Sequence, residues 1–331
     1  MNTSPITIAQ LGEHEVLRRL RKFCAAVVGD DGAVQELPPG EQLVVTTDVL
    51  VDGVHFSDRT LPPKDLGWRA IAVNLSDLAA MGAVPLGITI GLTLPADTPW
   101  PWVNHLYEGM VDCLNRYGGH IIGGDLCRGD HRSLAITALG MVSPDQTLYR
   151  NTAQPGQVLV TTGIHGASRA GLALLLEELT PRSLPEDLVQ GWITAHQRPH
   201  PRFDAIAILR QLYAQPVAAM DTSDGLADAV IQICRQSQVG ATLRQSQLPI
   251  PPGLSDVVSP GTARQWTLYG GEDFELLLSL PPDIAQAFVN QLPGSYIIGQ
   301  TTLEPEIRLV DDATQGDDIY LDQGKGYQHF G

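Results

Sequence analysis

Apolar positions recur along this chain with two periods, one helical and one strand-like. Between residues 8 and 24 the spacing is helical, with Leu11, Val16, Leu17, Leu20 and Phe23 near one face. Residues 43–56, LVVTTDVLVDGVHF, switch to a β-branched run that predicts a buried strand. That run delivers Thr46, Thr47 and Asp48, then turns through Asp52-Gly53 to His55. Because side chains alternate along a strand, Thr46 and Asp48 point one way and Thr47 the other. Residues 65–81, DLGWRAIAVNLSDLAAM, predict a helix with Ile71, Leu75 and Leu78 on its core face. Asn74 and Asp77, three apart, share the adjacent polar stripe. Gly82 and Pro85 stop that helix.

The pattern continues with a strand over 86–94 and a helix over about 102–117. His120-Ile121-Ile122-Gly123-Gly124-Asp125 repeats the earlier grammar, an apolar strand ending in an acid, here beside glycines that let backbone approach a ligand. A strand over 133–142 closes the first half. Residues 144–157, with Pro144, Asn151, Pro155 and Gly156, carry boundary chemistry, so an N-terminal domain is expected over 1–147 and a C-terminal one over 148–331. The second half predicts a strand over 158–162 and a helix over 167–179. A proline- and histidine-rich connector with a short helix follows over 181–202, then a helix over 203–213. A third acid-terminated strand, 217–221, leads through Thr222-Ser223-Asp224-Gly225 into a helix ending near 236. Residues 266–271 lead to Glu272-Asp273 and a strand over 274–280, and Gly324-Lys325-Gly326-Tyr327 reads as an exposed loop.

Composition narrows the function. The 331 residues are 43% hydrophobic and 18% charged, enough for two ordinary domains with sizeable cores. A net charge of −16 argues against nucleic acid, yet not against a nucleotide held through metal ions that carry the positive charge. Cys24, Cys113, Cys127 and Cys234 are scattered without a CxxC pair, matching neither a zinc site nor a disulfide framework. No apolar run is long enough to span a bilayer, and the N-terminus lacks an apolar signal core. A soluble, cytoplasmic protein with no membrane partner is expected.

There is no GxxxxGK[ST] loop, no kinase-type glycine loop, no GxSxG elbow and no HExxH pair. What remains is a set of acids placed after strands or glycines: Asp30, Asp48, Asp125, Asp221 and Asp224, with Asp77 on a helix. Asp30-Asp31 repel one another, so they either stay wet or are held by a cation. Oxygen-only ligands suit magnesium better than zinc or copper, and several magnesium ions would bridge polyphosphate oxygens. The residues by themselves point to magnesium-dependent phosphate chemistry.

Taken together, GDDGA, VVTTDVLVDGVHF, AVNLSDLAAMGAVP, IIGGD, MDTSDGL and LYGGEDFEL run in order along nearly the whole chain. In this combination the sequence resembles the thiamine-monophosphate kinases of the PurM-like ATP-binding superfamily. The resemblance implies an α/β (α+β) two-domain architecture. Its N-terminal domain would pair with a twin through its sheet in a homodimer, and ATP with its magnesium ions would lie between the two domains. It implies transfer of the γ-phosphate of ATP onto thiamine monophosphate, giving thiamine diphosphate.

Matched motif by motif, Asp30, Thr46, Thr47, Asp48, Asp77, Asp125, Asp221 and Asp224 would hold several Mg2+ ions. Tyr107, Gly124, Asp125, Arg150 and Ser223 would lie against ATP. His55, Glu272 and Tyr327 would contact thiamine monophosphate, Tyr327 with its ring toward the cationic heterocycle. No covalent nucleophile or strong base is expected, because the acceptor is already an anionic phosphate oxygen. Gly32 and Met220 depart from the family pattern without removing an oxygen ligand. Other readings stay open at this point: a superfamily enzyme with a different acceptor, such as aminoimidazole ribonucleotide synthetase, selenophosphate synthetase or the hydrogenase-maturation member; a nucleotide-binding regulator without turnover; and a magnesium-dependent phosphatase.

Overall fold

The structure, a computed structural model, describes residues 5–181, 184–311 and 318–326. It divides into two compact units, Met1–Leu78 with Ala83–Ser143, and Ala79–Gly82 with Pro144–Gly331.

In the first unit, two short helices, α1 (Ile8–Leu11) and α2 (Glu13–Leu20), replace the single helix expected over 8–24. Gly12 separates them with φ at 77°, a left-handed backbone that suits glycine and interrupts the helix. After them come β1 (Gln42–Val51), α3 (Pro63–Ala80), β2 (Val84–Leu94), α4 (Trp100–Tyr117), β3 (Ile121–Arg128) and β4 (Ser133–Val142). The strands form one sheet in the order β1-β4-β2-β3, antiparallel except for β2 with β3. Its inner face is apolar and buried, with Leu50, Leu134, Ile136, Ala138, Ile88, Ile90 and Leu92. Helices α3 and α4 cross at Gly67 and Gly109, where any Cβ would run into the carbonyls of Leu106 and Lys64 respectively. The contact is backbone against backbone, so both positions require glycine.

The outer face of the same sheet is open. Along β1, Leu43, Val45 and Val49 are 47%, 56% and 50% exposed, far more than apolar side chains on a buried sheet.

The second unit contains β5 (Val158–Thr161), α5 (Ala167–Leu175), α6 (Glu186–Gln197), α7 (Phe203–Leu212), β6 (Ala218–Asp221) and α8 (Leu226–Ser237). It continues with β7 (Gly240–Arg244), α9 (Leu254–Val257), α10 (Pro260–Tyr269), β8 (Leu276–Leu280), α11 (Pro282–Gln291), β9 (Tyr296–Thr302), β10 (Ile307–Val310) and β11 (Ile319–Tyr320). The strands order as β11-β10-β7-β9-β5-β8-β6. Alternation along β8 builds two cores: Leu276, Leu278 and Leu280 pack with Leu209 and Phe288, while Leu277 packs with Leu226, Val230 and Ile233. Helices thus cover both faces of this sheet. Helix α6 runs twelve residues, within the 181–202 connector that was expected to hold a short helix. No helix among the described residues is long and apolar enough to cross a membrane.

Candidate functional site

In the first unit, β1 and α3 bring four predicted polar residues together as two pairs. Thr46 Oγ1 donates to Asp77 Oδ2 at 2.5 Å, and the Asp48 backbone N–H donates to Asn74 Oδ1 at 3.1 Å. Asn74, fully buried, also donates its amide to the Ala70 carbonyl, which fixes the side chain. Thr46 and Asp48 therefore face α3 from the inner side of the sheet, and Asn74 and Asp77 answer from one stripe of the helix.

Thr47 and Asp125 stand on the opposite face. Register places Thr47 across from Thr137, to which it is bonded at 2.7 Å between hydroxyls, and that row continues through Thr89 to Gly123. The next row runs Val49, Ala135, Gly91 and Asp125. Because β1 and β3 are the two edges, three strand spacings, roughly 14 Å, separate Thr47 from Asp125 within one chain. Gly124 has a reason of its own inside the sheet, since a Cβ there would lie 2.5 Å from the Ile90 carbonyl oxygen.

Asp30 is exposed in the loop before β1. His55 sits in the turn after β1, where its Nδ1 accepts the Val51 N–H at 3.0 Å and its own N–H returns to the Val51 carbonyl at 2.9 Å. An accepting Nδ1 leaves the proton of a neutral ring on Nε2. Motif reading missed the residue that holds this turn. Arg132, at the start of β4's approach, donates to Asp52 at 2.8 Å and to Asp58 at 2.6 Å, and lies 4.9 Å from the centre of the Trp102 ring. Arg132's hydrogen bond holds the Asp58 carboxyl below its ordinary range, against partial burial and with help from Trp102. Tyr107 is 6% exposed on α4, its ring 5.6 Å from that of Phe23, and burial pushes its phenol well above the ordinary range.

In the second unit, β6 ends at Asp221, which is 3% exposed and accepts from Ser223 Oγ at 3.1 Å. The turn carrying Asp224 leads through Gly225 into α8. Thr222 anchors it: its N–H meets the Glu275 carbonyl at 2.9 Å and its hydroxyl meets His165 Nε2 at 3.1 Å. Arg150 Nη1 donates to Gln232 of α8 at 3.1 Å, while its carbonyl accepts from Ser237 at 2.9 Å. The Glu272 N–H donates to the Ser223 carbonyl at 2.7 Å, so the turn bearing Glu272 is stitched to the turn bearing Ser223 and Asp224. Tyr327 lies outside the described residues.

Two buried titratable groups flank these turns. Burial lowers the pKa of His165 to about 3, against a hydrogen bond to the Gly163 carbonyl, so the ring is neutral. Burial raises Asp273 to about 7; the N–H groups of Gly166 and Ser168 pull it down, and Glu275 and Glu272 push it further up.

A cavity of about 670 Å³ lies elsewhere in the second unit, lined by Asn151, Gln154, Tyr213, Gln215, Pro216 and Pro281 among others, and none of the predicted site residues lines it. The donor set at the predicted positions is oxygen only, the chemistry of a hard cation. Among the described residues no three His, Cys, Asp or Glu form a ready-made cage. Magnesium does not need one, since it commonly takes one or two carboxylates and completes its shell with phosphate and water. The residues fit that ion.

Comparison with known proteins defines the class first. Residues 29–142 match the family model "AIR synthase related protein, N-terminal domain", and residues 154–312 match "AIR synthase related protein, C-terminal domain". This is a two-domain α+β protein of the PurM-like superfamily. Within it, the chain is 48% identical to thiamine-monophosphate kinase of Synechococcus elongatus over 333 residues, 98% of each chain. The crystal structure of thiamine-monophosphate kinase from Stenotrophomonas maltophilia superposes with a TM-score of 0.78 at 32% identity, covering 91% of this chain and 96% of that one. The structure of AaThiL complexed with AMPPCP and TMP gives 0.73 at 28% identity, covering 97% and 99%. The chain belongs to the thiamine-monophosphate kinase family.

Proposed function

We propose that this chain transfers the γ-phosphate of ATP directly onto the phosphate of thiamine monophosphate, releasing ADP and thiamine diphosphate. It is a phosphotransferase whose acceptor is itself a phosphate. The observation that carries the reading is identity of 48% extending over 98% of a thiamine-monophosphate kinase, which leaves no domain of that enzyme without a counterpart.

Magnesium, when bound, cancels repulsion between two anionic phosphates and supports in-line transfer. Thr46, Asp48 and Asp77 would hold ions from the inner face of the first sheet, Thr47 and Asp125 from its outer face, with Asp30, Asp221 and Asp224 completing the set. The two faces are the reason for several ions, because side chains pointing opposite ways do not share one. Tyr107, Gly124, Asp125, Arg150 and Ser223 would receive ATP; His55, Glu272 and Tyr327 would receive thiamine monophosphate. These residues orient two anions in line, and none has to remove a proton from an acceptor already ionised.

The reading includes a cytoplasmic homodimer formed through the first sheet. Its support is the open apolar face at Leu43, Val45 and Val49. Domains over 1–147 and 148–331 are part of the same reading.

Product analysis tests the activity. The protein is incubated with ATP, magnesium and thiamine monophosphate, beside controls with thiamine alone and without ATP. Thiamine diphosphate equal to ADP, formed only from the monophosphate, is expected. Inorganic phosphate released without ATP would establish a phosphatase instead.

A further inference from the structure

Glu272 and Phe274 both have left-handed backbones, with φ at 61° and 52°, although neither is glycine. Such backbones are strained in residues with a side chain and persist only where surrounding structure fixes them. The residue between them supplies the fixing. Asp273 accepts the N–H of Gly166 at 2.7 Å through one carboxylate oxygen and the N–H of Ser168 at 2.9 Å through the other. These are N–H groups at the start of α5, whose own N-cap, Gly166, has no side chain to offer. Asp273 caps a neighbouring helix and, by doing so, holds the strained turn in place.

The same helix start reaches the Glu272 side chain by a second route. Ser168 Oγ lies 3.2 Å from His196 Nδ1, and that nitrogen lies 3.8 Å from Glu272 Oε2. Ser168 and His196 are buried, at 0% and 2% exposure, whereas the Glu272 side chain is 35% exposed. A carboxylate facing solvent thus lies beside an enclosed imidazole, and the ring nitrogen nearest to it is the one that the Ser168 hydroxyl holds. Helix α6 can bring His196 this close because its backbone at Trp192 packs directly on Gly171 of α5, where a Cβ would meet the Trp192 carbonyl.

We propose that Ser168, His196 and Asp273 form one positioning unit that presents Glu272 to the substrate without touching it. Asp273 sets the backbone of the turn, and the Ser168–His196 pair sets the carboxylate. This rests on the reading that Glu272 meets thiamine monophosphate. A carboxylate offered to a cationic heterocycle loses affinity when it is free to swing away, and that loss falls on one substrate only.

The test is a double-mutant cycle on the full chain with KM and kcat for both substrates. His196→Ala and Ser168→Ala are each expected to raise KM for thiamine monophosphate about tenfold while KM for ATP moves less than about twofold. His196→Asn, which retains a hydrogen-bonding atom near the Nδ1 position, should restore most of the loss. In a Glu272→Gln background, His196→Ala should add nothing, since its effect passes through that carboxylate. Should His196→Ala lower the melting temperature alone, raise both KM values equally, or act in full without Glu272, the positioning role is overturned. Ser168→Ala deletes one hydroxyl and keeps the question answerable if His196→Ala does not fold. Absence of thiamine diphosphate from the wild-type reaction would overturn the activity itself. A wild type that turns over, with KM unchanged in Glu272→Gln, overturns the presentation of Glu272 while leaving the activity standing.

Discussion

Thr46 Oγ1 donates to Asp77 Oδ2 across 2.5 Å, joining the middle of β1 to the last turns of α3. Hydroxyl-to-carboxylate bonds of this length are charge-assisted, and they hold two oxygens side by side on one face. Asp77→Asn keeps an acceptor for Thr46 but removes the negative charge. Turnover should fall on the order of 100-fold and the magnesium concentration for half-maximal rate should rise, with the melting temperature little changed. Asp48→Asn and Asp125→Asn should behave alike. A folded Asp77→Asn protein with near-native turnover at saturating magnesium contradicts the ion-holding role.

The arrangement behind that pair was partly readable in the chain. Once 43–51 is a strand, period two forces Thr46 and Asp48 to one side and Thr47 to the other, and the Thr47–Thr137 bond agrees. Spacing of three put Asn74 and Asp77 on one stripe of α3. What the spacing could not reveal is that the stripe lies over β1, because that depends on how a helix is placed across a sheet formed with β4, nearly ninety positions later. Gly124 shows the opposite case. Its glycine was legible, and a neighbouring strand's carbonyl gives it a reason within the fold that the local pattern did not show.

Arg132 offers a second test. Its guanidinium spans Asp52 and Asp58, the two sides of the turn that carries His55. Arg132→Ala removes the cation that ties the two carboxylates together and frees the turn, so KM for thiamine monophosphate should rise about tenfold with KM for ATP unaffected. Arg132→Lys should recover only part, since one ammonium does not reproduce a planar fork. Steady-state kinetics on both variants decide it; equal loss toward both substrates would place the effect outside this turn.

The open face of the first sheet can be tested without any assay of turnover. Val45 is 56% exposed on the outer face of β1. Val45→Glu costs the chain little as a surface change, but it would place charges in a dimer made through this face. Light scattering on the eluting protein should find twice the chain mass for wild type and one chain mass for the variant. A wild type with the mass of one chain would remove the homodimer from the reading.

Long-range pairings were the part that no local pattern could supply. His196 and Glu272 are seventy-six positions apart, and neither carries a signal naming the other. The length of helix α6 was obscured by its flanks, Pro185 at its N-cap and Pro199 and Pro201 beyond its end, which made 181–202 read as a connector with only a short helix. The helix forms because Trp192 is buried against α5, a tertiary contact that propensity does not register.

His165 and Asp273 titrate in opposite senses, so stability depends on acidity through both. His165 is held neutral with a pKa of about 3, below the ordinary histidine value of 6.5. Its share of stability is therefore complete above pH 6.5 and is lost as pH falls toward 3, because only the unfolded chain takes up the proton. Asp273 is raised to about 7 from 3.8. Its share is complete below pH 3.8 and is lost as pH rises through 7, because only the unfolded chain releases the proton early. Between pH 4 and 6.5 the two slopes oppose each other, each up to about 1.4 kcal/mol per pH unit. Urea unfolding at pH 4.5, 5.5 and 6.5 should show wild type gaining stability relative to His165→Asn as pH rises. Relative to Asp273→Asn it should lose stability over the same range. Parallel pH profiles for wild type and both variants would mean that neither group is perturbed as its burial requires.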